Sequence, residues 1–321
     1  MKKTIRIILL LLVLLGAAFL IFRTPDTDRA EMIAKYGNEA SQFLDDGHGA
    51  KIHYRDEGNK DGPALLLIHG SNSLLQTWEP LVALLGDQYR LISLDLYGHG
   101  LTGPNPTGAY DAETNIAAAV QVLDKVGVDK AYWVGNSMGG WLSWRAGLSV
   151  PERISGLVLI DASGAQVEEK IQPYLAARLA RSSIGQMLLP EITPRSLVRS
   201  SLEENFAQSE RLTDELVDRY WELLRFPGNR KAAVDRGKTP REPEKWEEVG
   251  TLQMPVLLLW GEHDKIIPMS HAKAFEAAIP GSKLITYADA GHLPMEETPA
   301  QVARDIDDWI QSVIAEVAAP N

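Results

Sequence analysis

Short apolar runs alternate with amphipathic stretches along most of the chain, and this alternation limits the folds open to it. Each run is apolar on both faces, which is typical of strands buried in a parallel sheet. The runs lie at 64–68, 89–94, 131–134, 157–160, 256–260 and 283–287, and the helical stretches lie at 112–126, 138–149, 270–279 and 298–317. The pattern predicts an α/β fold with a mostly parallel central sheet and helices on both faces.

One long segment, 166–246, contains no strand-like run. Five of its apolar residues recur at the spacing of one helix face: Leu216, Val217, Tyr220, Trp221 and Leu224. We therefore predict a helical cap at 166–246, inserted into a core that is formed by 46–165 and 247–321.

The N-terminus carries a strongly apolar segment. Residues 7–22 are uncharged and apolar, and they follow Lys2, Lys3 and Arg6. As a helix these 16 residues rise about 24 Å, against a hydrocarbon core of ~30 Å. We predict an N-terminal membrane helix at 1–23 and a linker at 24–45. The charges favour a cytoplasmic N-terminus, with the body on the periplasmic or extracytoplasmic side. The alternatives are a cleaved signal sequence, which would export the body, and a buried helix.

The charge balance and the residue counts exclude several kinds of site. Asp and Glu outnumber Lys and Arg by 43 to 32, for a net charge of -11, so nucleic-acid binding is not expected. The chain has no cysteine, which excludes disulfides, thiolate nucleophiles and Cys-ligated zinc. It also has no H-E-x-x-H or paired-histidine pattern, and we expect no metal and no cofactor.

A G-x-S-x-G motif runs from Gly135 to Gly139, with Ser137 at its centre. An apolar run precedes the motif and a helical stretch follows it. A strand-to-helix turn of this kind strains the serine and exposes its Oγ above the sheet, at a helix N-terminus. We therefore predict that Ser137 is a nucleophile, which needs a general base at neutral pH.

The acid and the base are expected after the serine, in the order Ser, acid, His. Of the histidines far enough downstream, His292 lies in a loop just past the last strand-like run, and we predict that it is the base. Asp264 directly follows the preceding run and is the favoured acid, whose role is to orient the imidazole. Asp161, at the end of an earlier run, is the alternative acid.

An oxyanion formed during acyl transfer needs two N–H donors. The backbone N–H of Met138, the residue after the nucleophile, is the first. The loop after the run at 64–68 supplies the second, with the Ser71 amide preferred and the Asn72 amide as the alternative. We interpret the glycine-rich turn at 95–100 as scaffolding near the site.

At these motifs the chain resembles the α/β-hydrolase fold superfamily, from about residue 50 to the C-terminus. The resemblance rests on His69-Gly70, the turn at 95–100, the elbow at Ser137, Asp264 and His292, in that order. It is similar to the serine esterase and lipase branch with a helical cap. That branch is related to haloalkane dehalogenases and epoxide hydrolases, which use an aspartate where this chain has Ser137. The resemblance implies hydrolysis of a small-molecule carboxylic ester through a Ser-His-Asp triad and an acyl-enzyme.

Other functions on the same fold stay open. The elbow at 135–140 resembles that of C–C bond hydrolases that act on ring-fission products, but that group usually carries H-G-x-G-P-G and a tryptophan after the histidine. Here Ser71, Asn72 and Ser73 follow His69-Gly70, and Leu293 follows His292. Perhydrolase-type chemistry on the same triad and a non-catalytic binding protein are further alternatives.

Overall fold

Eight strands form one central sheet in the computed structural model, which describes residues 2–169, 178, 182–238 and 245–318. They are β1 (Ser41–Asp45), β2 (Lys51–Gly58), β3 (Ala64–Ile68), β4 (Arg90–Leu94), β5 (Ala131–Asn136), β6 (Ile154–Ile160), β7 (Val256–Gly261) and β8 (Lys283–Tyr287). The order across the sheet is β1-β2-β4-β3-β5-β6-β7-β8. β2 pairs antiparallel with β1 and β4, and all other pairs are parallel. The predicted α/β fold with a mostly parallel sheet is confirmed.

Helices cover both faces of this sheet. Those before the cap are α1 (Lys2–Phe22), α2 (Arg29–Tyr36), α3 (Glu79–Leu85), α4 (Ala112–Lys125) and α5 (Met138–Ser149). Those within the predicted cap are α6 (Ser183–Leu188), α7 (Arg195–Asn205), α8 (Asp214–Leu224) and α9 (Asn229–Lys238), and those after it are α10 (Met269–Ala278), α11 (Pro294–Glu297) and α12 (Pro299–Ala318). Leu66 and Ile68 of β3 pack with α4, α5 and α10 in one apolar cluster, whereas Leu65 and Leu67 pack with α3 and α12 in a second. Alternate residues of a strand therefore fill opposite layers of the core.

The antiparallel edge of the sheet was not predicted. β2 has the sequence KIHYRDEG, whose polar residues do not form an apolar run. Its His53 and Arg55 are nevertheless buried, because His53 contacts Asp95 and Arg55 pairs with Glu79. The segment 24–45, expected to be a tether that leads into a short helix, contains α2 and then β1, and this strand was not predicted.

The segment between β6 and β7 is helical wherever the structure describes it. It contains α6 to α9 and short 3-10 turns, and its described residues form no strand. Residues 170–177, 179–181 and 239–244 of the predicted cap lie outside the described residues. The boundaries of the cap at 166 and 246 stay a prediction.

The N-terminal segment corrects the predicted localisation. Residues Lys2–Phe22 form α1, but no helix in the described ranges is long and apolar enough to cross a membrane. The predicted membrane anchor at 1–23, and the location derived from it, are therefore wrong. The physical reason is length, since the uninterrupted apolar run of 16 residues rises only about 24 Å. Directly after α1, the Thr24 amide donates to the Glu191 carbonyl, and Arg230 donates to the Thr24 carbonyl.

Candidate active site

Ser137 occupies a sharp turn between β5 and α5. Its φ is 54°, in the left-handed region that non-glycine residues rarely adopt. The flanking glycines permit this turn, because a Cβ on Gly135 would lie 2.3 Å from the Gly139 carbonyl oxygen. A Cβ on Gly139 would lie 2.0 Å from the Ile68 carbonyl oxygen. The backbone thus strains one serine at the carboxyl end of the sheet, as the motif predicted.

His292 and Asp264 are in direct contact. The distance from His292 Nδ1 to Asp264 Oδ2 is 2.7 Å, and the residues are 4% and 6% exposed. Asp264 is fixed in turn, because its Oδ1 accepts from the amides of Ile266 and Ile267 at 2.7 and 2.9 Å. This contact sets the Nδ1–H tautomer of His292 when its imidazole is neutral. Nε2 is then left as an acceptor.

The residue before Ser137 links the turn to the histidine loop. Asn136 Nδ2 donates to the His292 carbonyl oxygen at 3.0 Å and to the Ile160 carbonyl oxygen at 3.2 Å. Ser137, Asp264 and His292 follow β5, β7 and β8, which are parallel members of one sheet. The three residues therefore gather at one edge of the sheet.

Asp161, the alternative acid, lies beside this pair. It is 0% exposed, its φ is 43°, and its Oδ1 accepts from the Gly261 amide at 3.0 Å. Burial, followed by the negative charge of Asp264, raises the pKa of Asp161 well above its ordinary value. The carboxylate that accepts from His292 Nδ1 is that of Asp264. One carboxylate oxygen or ring nitrogen of each of Asp161, Asp264 and His292 lies within 4.8 Å of the others.

The loop after β3 has one engaged amide and one free amide. The Asn72 amide donates to His99 Nε2 at 3.1 Å. In the part of the chain that the structure describes, the Ser71 amide makes no hydrogen bond. The Met138 amide opens α5, where the first N–H groups have no partner within the helix. Of the three candidate amides, only that of Asn72 therefore has a hydrogen-bond partner among the described residues.

His99 is held as a neutral acceptor, a role that the sequence analysis missed. Its Nδ1 donates to the Tyr97 carbonyl oxygen at 3.0 Å, so Nε2 is free to accept. Burial and the nearby charge of Arg236 keep the pKa of His99 well below its ordinary value. Arg236 itself donates to Asn72 Oδ1 at 3.1 Å.

Asp95 organises the turn at 95–100. Its carboxylate accepts from the amides of Leu75 and Leu101 at 2.9 and 2.8 Å, and its Oδ2 lies 2.7 Å from His53 Nδ1. A Cβ on Gly100 would lie 2.0 Å from the Asp95 Cγ. In the sequence, the signal for this turn is a glycine, Gly100, shortly after Asp95, the aspartate that follows β4. Asp95 therefore links the turn to the loop that carries Ser71.

The helices of the predicted cap contact the site loops through buried polar groups. Tyr220 Oη of α8 donates to Glu296 Oε1 at 2.7 Å and lies 3.2 Å from Ser73 Oγ. Thr77 Oγ1 donates to the same Glu296 oxygen at 2.5 Å. A separate cavity of about 630 Å³ is lined by Arg23, Glu191 and Arg230 among others, and by none of the predicted site residues.

A family model for the α/β hydrolase fold matches residues 63–299. The uncharacterized hydrolase YugF of Bacillus subtilis is 28% identical over 276 residues, which cover 82% of this chain and 95% of the relative. The pimeloyl-[acyl-carrier protein] methyl ester esterase of Aliivibrio salmonicida is 28% identical over 280 residues, which cover 81% and 96%. A solved bacterial membrane phospholipase A superposes with a TM-score of 0.75 at 22% identity, covering 98% of this chain and 99% of that one. At this identity the superposition shows a shared fold alone.

Proposed function

Because the chain belongs to the α/β-hydrolase fold family, we propose that it is a serine hydrolase that cleaves carboxylic esters. The observation that carries the proposal is the gathering of three groups at one edge of the sheet. These are Ser137 in a strained turn, and the Asp264–His292 pair with 2.7 Å between Oδ2 and Nδ1. A serine in such a turn, with an Asp–His pair at the same edge of the sheet, supports the proposed activation of its alcohol.

In the proposed reaction, Ser137 Oγ attacks the ester carbonyl carbon while His292 Nε2 takes the hydroxyl proton. The amides of Ser71 and Met138 bind the developing oxyanion. His292 then gives the proton to the departing alcohol, which leaves an acyl-enzyme on Ser137. Water attacks this acyl group through the same base, and the acid product leaves with Ser137 restored. Asp264 holds the imidazole with Nδ1–H toward itself and stabilises the imidazolium.

Three further observations support an ester as the substrate. The relative from Aliivibrio salmonicida has a name that describes a methyl ester esterase. A serine at position 137 also argues against the chemistry of relatives that use an aspartate nucleophile. The free Ser71 amide beside the engaged Asn72 amide fits an oxyanion site of two donors.

The test is hydrolysis of p-nitrophenyl esters from acetate to palmitate, with the wild type compared with Ser137→Ala. Ser149→Ala is the matched control, because Ser149 is an exposed serine at the far end of the same helix. We expect hydrolysis in the wild type and the control and none above background in Ser137→Ala.

An active-site phosphonate, mapped by mass spectrometry, separates the remaining outcomes. We expect the label on Ser137 and none on Ser41, although Ser41 Oγ lies 2.9 Å from His53 Nε2 and His53 contacts Asp95. Ser41 is thus an internal control for a Ser-His-Asp chain without a strained turn. A label on Ser137 without ester hydrolysis would direct the search to another bond, with a ring-fission dienoate as the next substrate. Absence of both would contradict the proposal and favour a binding protein.

A further inference from the structure

Asp264 has one acceptor position that no described amide or imidazole uses. An ionised carboxylate offers about four lone pairs on two oxygens. In Asp264, Oδ1 accepts two backbone N–H groups, and Oδ2 contacts His292 Nδ1. One lone pair of Oδ2 therefore remains for a further donor.

Asp161 is placed to be that donor. Its Oδ1 accepts from the Gly261 amide, whereas its Oδ2 is buried without a hydrogen-bond partner among the described atoms of protein. One carboxylate oxygen of Asp161, one of Asp264 and a ring nitrogen of His292 lie within 4.8 Å of one another. A buried carboxylate oxygen left without a donor is costly, but the same oxygen carrying a proton can donate to a neighbouring carboxylate.

We propose that Asp161 is a neutral carboxylic acid that donates a hydrogen bond to Asp264, and that it thereby positions the acid that orients His292. This inference rests on the proposed function, in which Asp264 and His292 serve Ser137. Asp161 is a positioning residue, since it acts on the reaction only through Asp264.

Electrostatics at the site support this proton position. The titratable groups that face Asp161 are Asp264, His292, Glu297 and Tyr287, of which Asp264 and Glu297 are carboxyl groups and Tyr287 is a phenol whose pKa is raised by burial. Two buried carboxylates so close together cannot both ionise cheaply, so one keeps its proton. Asp264 Oδ1 already accepts from two N–H groups and its Oδ2 contacts His292, whereas Asp161 Oδ2 has no partner among the described atoms and burial raises the pKa of Asp161. The proton therefore belongs on Asp161.

The consequence for the reaction is a weaker base at Asp264. A hydrogen bond from Asp161 withdraws electron density from the Asp264 carboxylate, which lessens its pull on the His292 proton. Without this donor, His292 binds its proton more tightly, and the acid limb of the rate profile moves to higher pH. A variant that remains a neutral donor at position 161 should keep the limb in place.

The experiment measures kcat/KM against pH for the wild type, Asp161→Asn and Asp161→Ala. Asparagine is neutral and keeps an N–H donor, so we expect kcat/KM within about threefold of the wild type and an unmoved acid limb. Alanine removes the donor, and we expect a loss of about tenfold and an acid limb shifted upward by about half a pH unit. Equal shifts in the two variants, or no shift in Asp161→Ala, would overturn the proposal.

A second measurement tests the protonation of Asp161 without relying on catalytic activity. Infrared difference spectra at pH 7, wild type minus Asp161→Asn, should contain the carbonyl band of a protonated carboxylic acid. Absence of that band would overturn the inference even if the enzyme is an active esterase. Its presence in a protein that hydrolyses no ester would support the proton position while the proposed function fails. Circular dichroism of each variant establishes that the compared chains are folded.

Discussion

The backbone N–H of His292 donates to the carbonyl oxygen of Asn205 at 2.7 Å. Asn205 ends α7, within the predicted cap, so the cap side of the molecule holds the loop that carries the predicted base. Glu297 strengthens this link, because its Oε1 accepts from the Gly291 amide and its Oε2 from the Ala207 amide, both at 2.7 Å. The position of His292 therefore depends on contacts made by residues on both sides of the site.

Removal of the Glu297 carboxylate should displace His292. In Glu297→Ala the amides of Gly291 and Ala207 lose their acceptor, and each unpaired buried N–H costs about 1–3 kcal/mol. We expect kcat to fall by about tenfold or more, with a smaller change in KM, because substrate binding does not need the base. Steady-state kinetics and urea unfolding measure the two effects. Glu316→Ala, an exposed position on α12, is the control. A destabilised variant with unchanged kcat would show that the loop keeps its geometry without Glu297.

Asp264→Asn should separate the two candidate acids. The asparagine amide cannot accept from His292 Nδ1–H through its nitrogen, so the wrong imidazole tautomer becomes favoured. We expect kcat to fall by about 10³–10⁴ while the protein stays folded. The same kinetics on Asp161→Asn should show a far smaller loss. If Asp161→Asn lost as much activity as Asp264→Asn, the acid of the proposed triad would be Asp161.

His99→Phe should impair the oxyanion loop. The Asn72 amide loses its acceptor, and the left-handed Asn72, with φ 58°, is no longer held beside Ser71. Because removal of one oxyanion donor costs about 10²–10³ in kcat, a displaced donor should cost about 10–10². Stopped-flow or steady-state ester hydrolysis measures this loss. His48→Phe, at an exposed histidine, should have no such effect. Full activity in His99→Phe would argue against the Ser71 amide as the second donor.

The free energy of unfolding should depend on pH through the protonation of Asp161. The raised pKa keeps Asp161 protonated in the folded state at pH values where the unfolded chain has already ionised. The free energy of unfolding therefore falls as pH rises from about 4 toward the folded-state pKa, by up to about 1.4 kcal/mol per pH unit from this group. Asp161→Asn cannot titrate, so its stability relative to the wild type should rise with pH over that window. Urea unfolding between about pH 5 and 8 measures the difference. A difference that is independent of pH would mean that Asp161 is ionised in the folded protein.

Gly139→Ala should destabilise the turn at Ser137. The new Cβ would lie 2.0 Å from the Ile68 carbonyl oxygen, which belongs to a central strand and cannot move cheaply. We expect a loss of about 3 kcal/mol or more in the free energy of unfolding. Gly237→Ala is the control, because no atom lies within 4 Å of its added Cβ. Equal stabilities of the two variants would show that the elbow relaxes more easily than its contacts indicate.

The buried parallel strands were the easiest part of the fold to predict. β3 coincides with the apolar run at 64–68, because a strand covered on both faces needs apolar side chains along its length. β8 also coincides with the run at 283–287, although only Tyr287 of this edge strand is buried. β2 was missed for the opposite reason. Its His53 and Arg55 look exposed in the sequence, but Asp95 and Glu79 pair with them in the folded chain. The partners of a buried polar residue lie far away in the sequence, and local patterns do not contain them.

For the site, the sequence by itself determined the strand-turn-helix at Ser137 and the loop positions of Asp264 and His292, since these depend on local chemistry and strand order. Only the tertiary structure decided which acid contacts His292 and which amide of the loop after β3 is free. Asp161 and Asp264 both follow parallel strands, and only their three-dimensional arrangement places Asp264 Oδ2 at 2.7 Å from His292 Nδ1. In the same way, the choice between Ser71 and Asn72 depends on His99, a residue from another loop. Packing determines both contacts, because a hydrogen bond requires a donor–acceptor distance that the order of residues in the sequence does not specify.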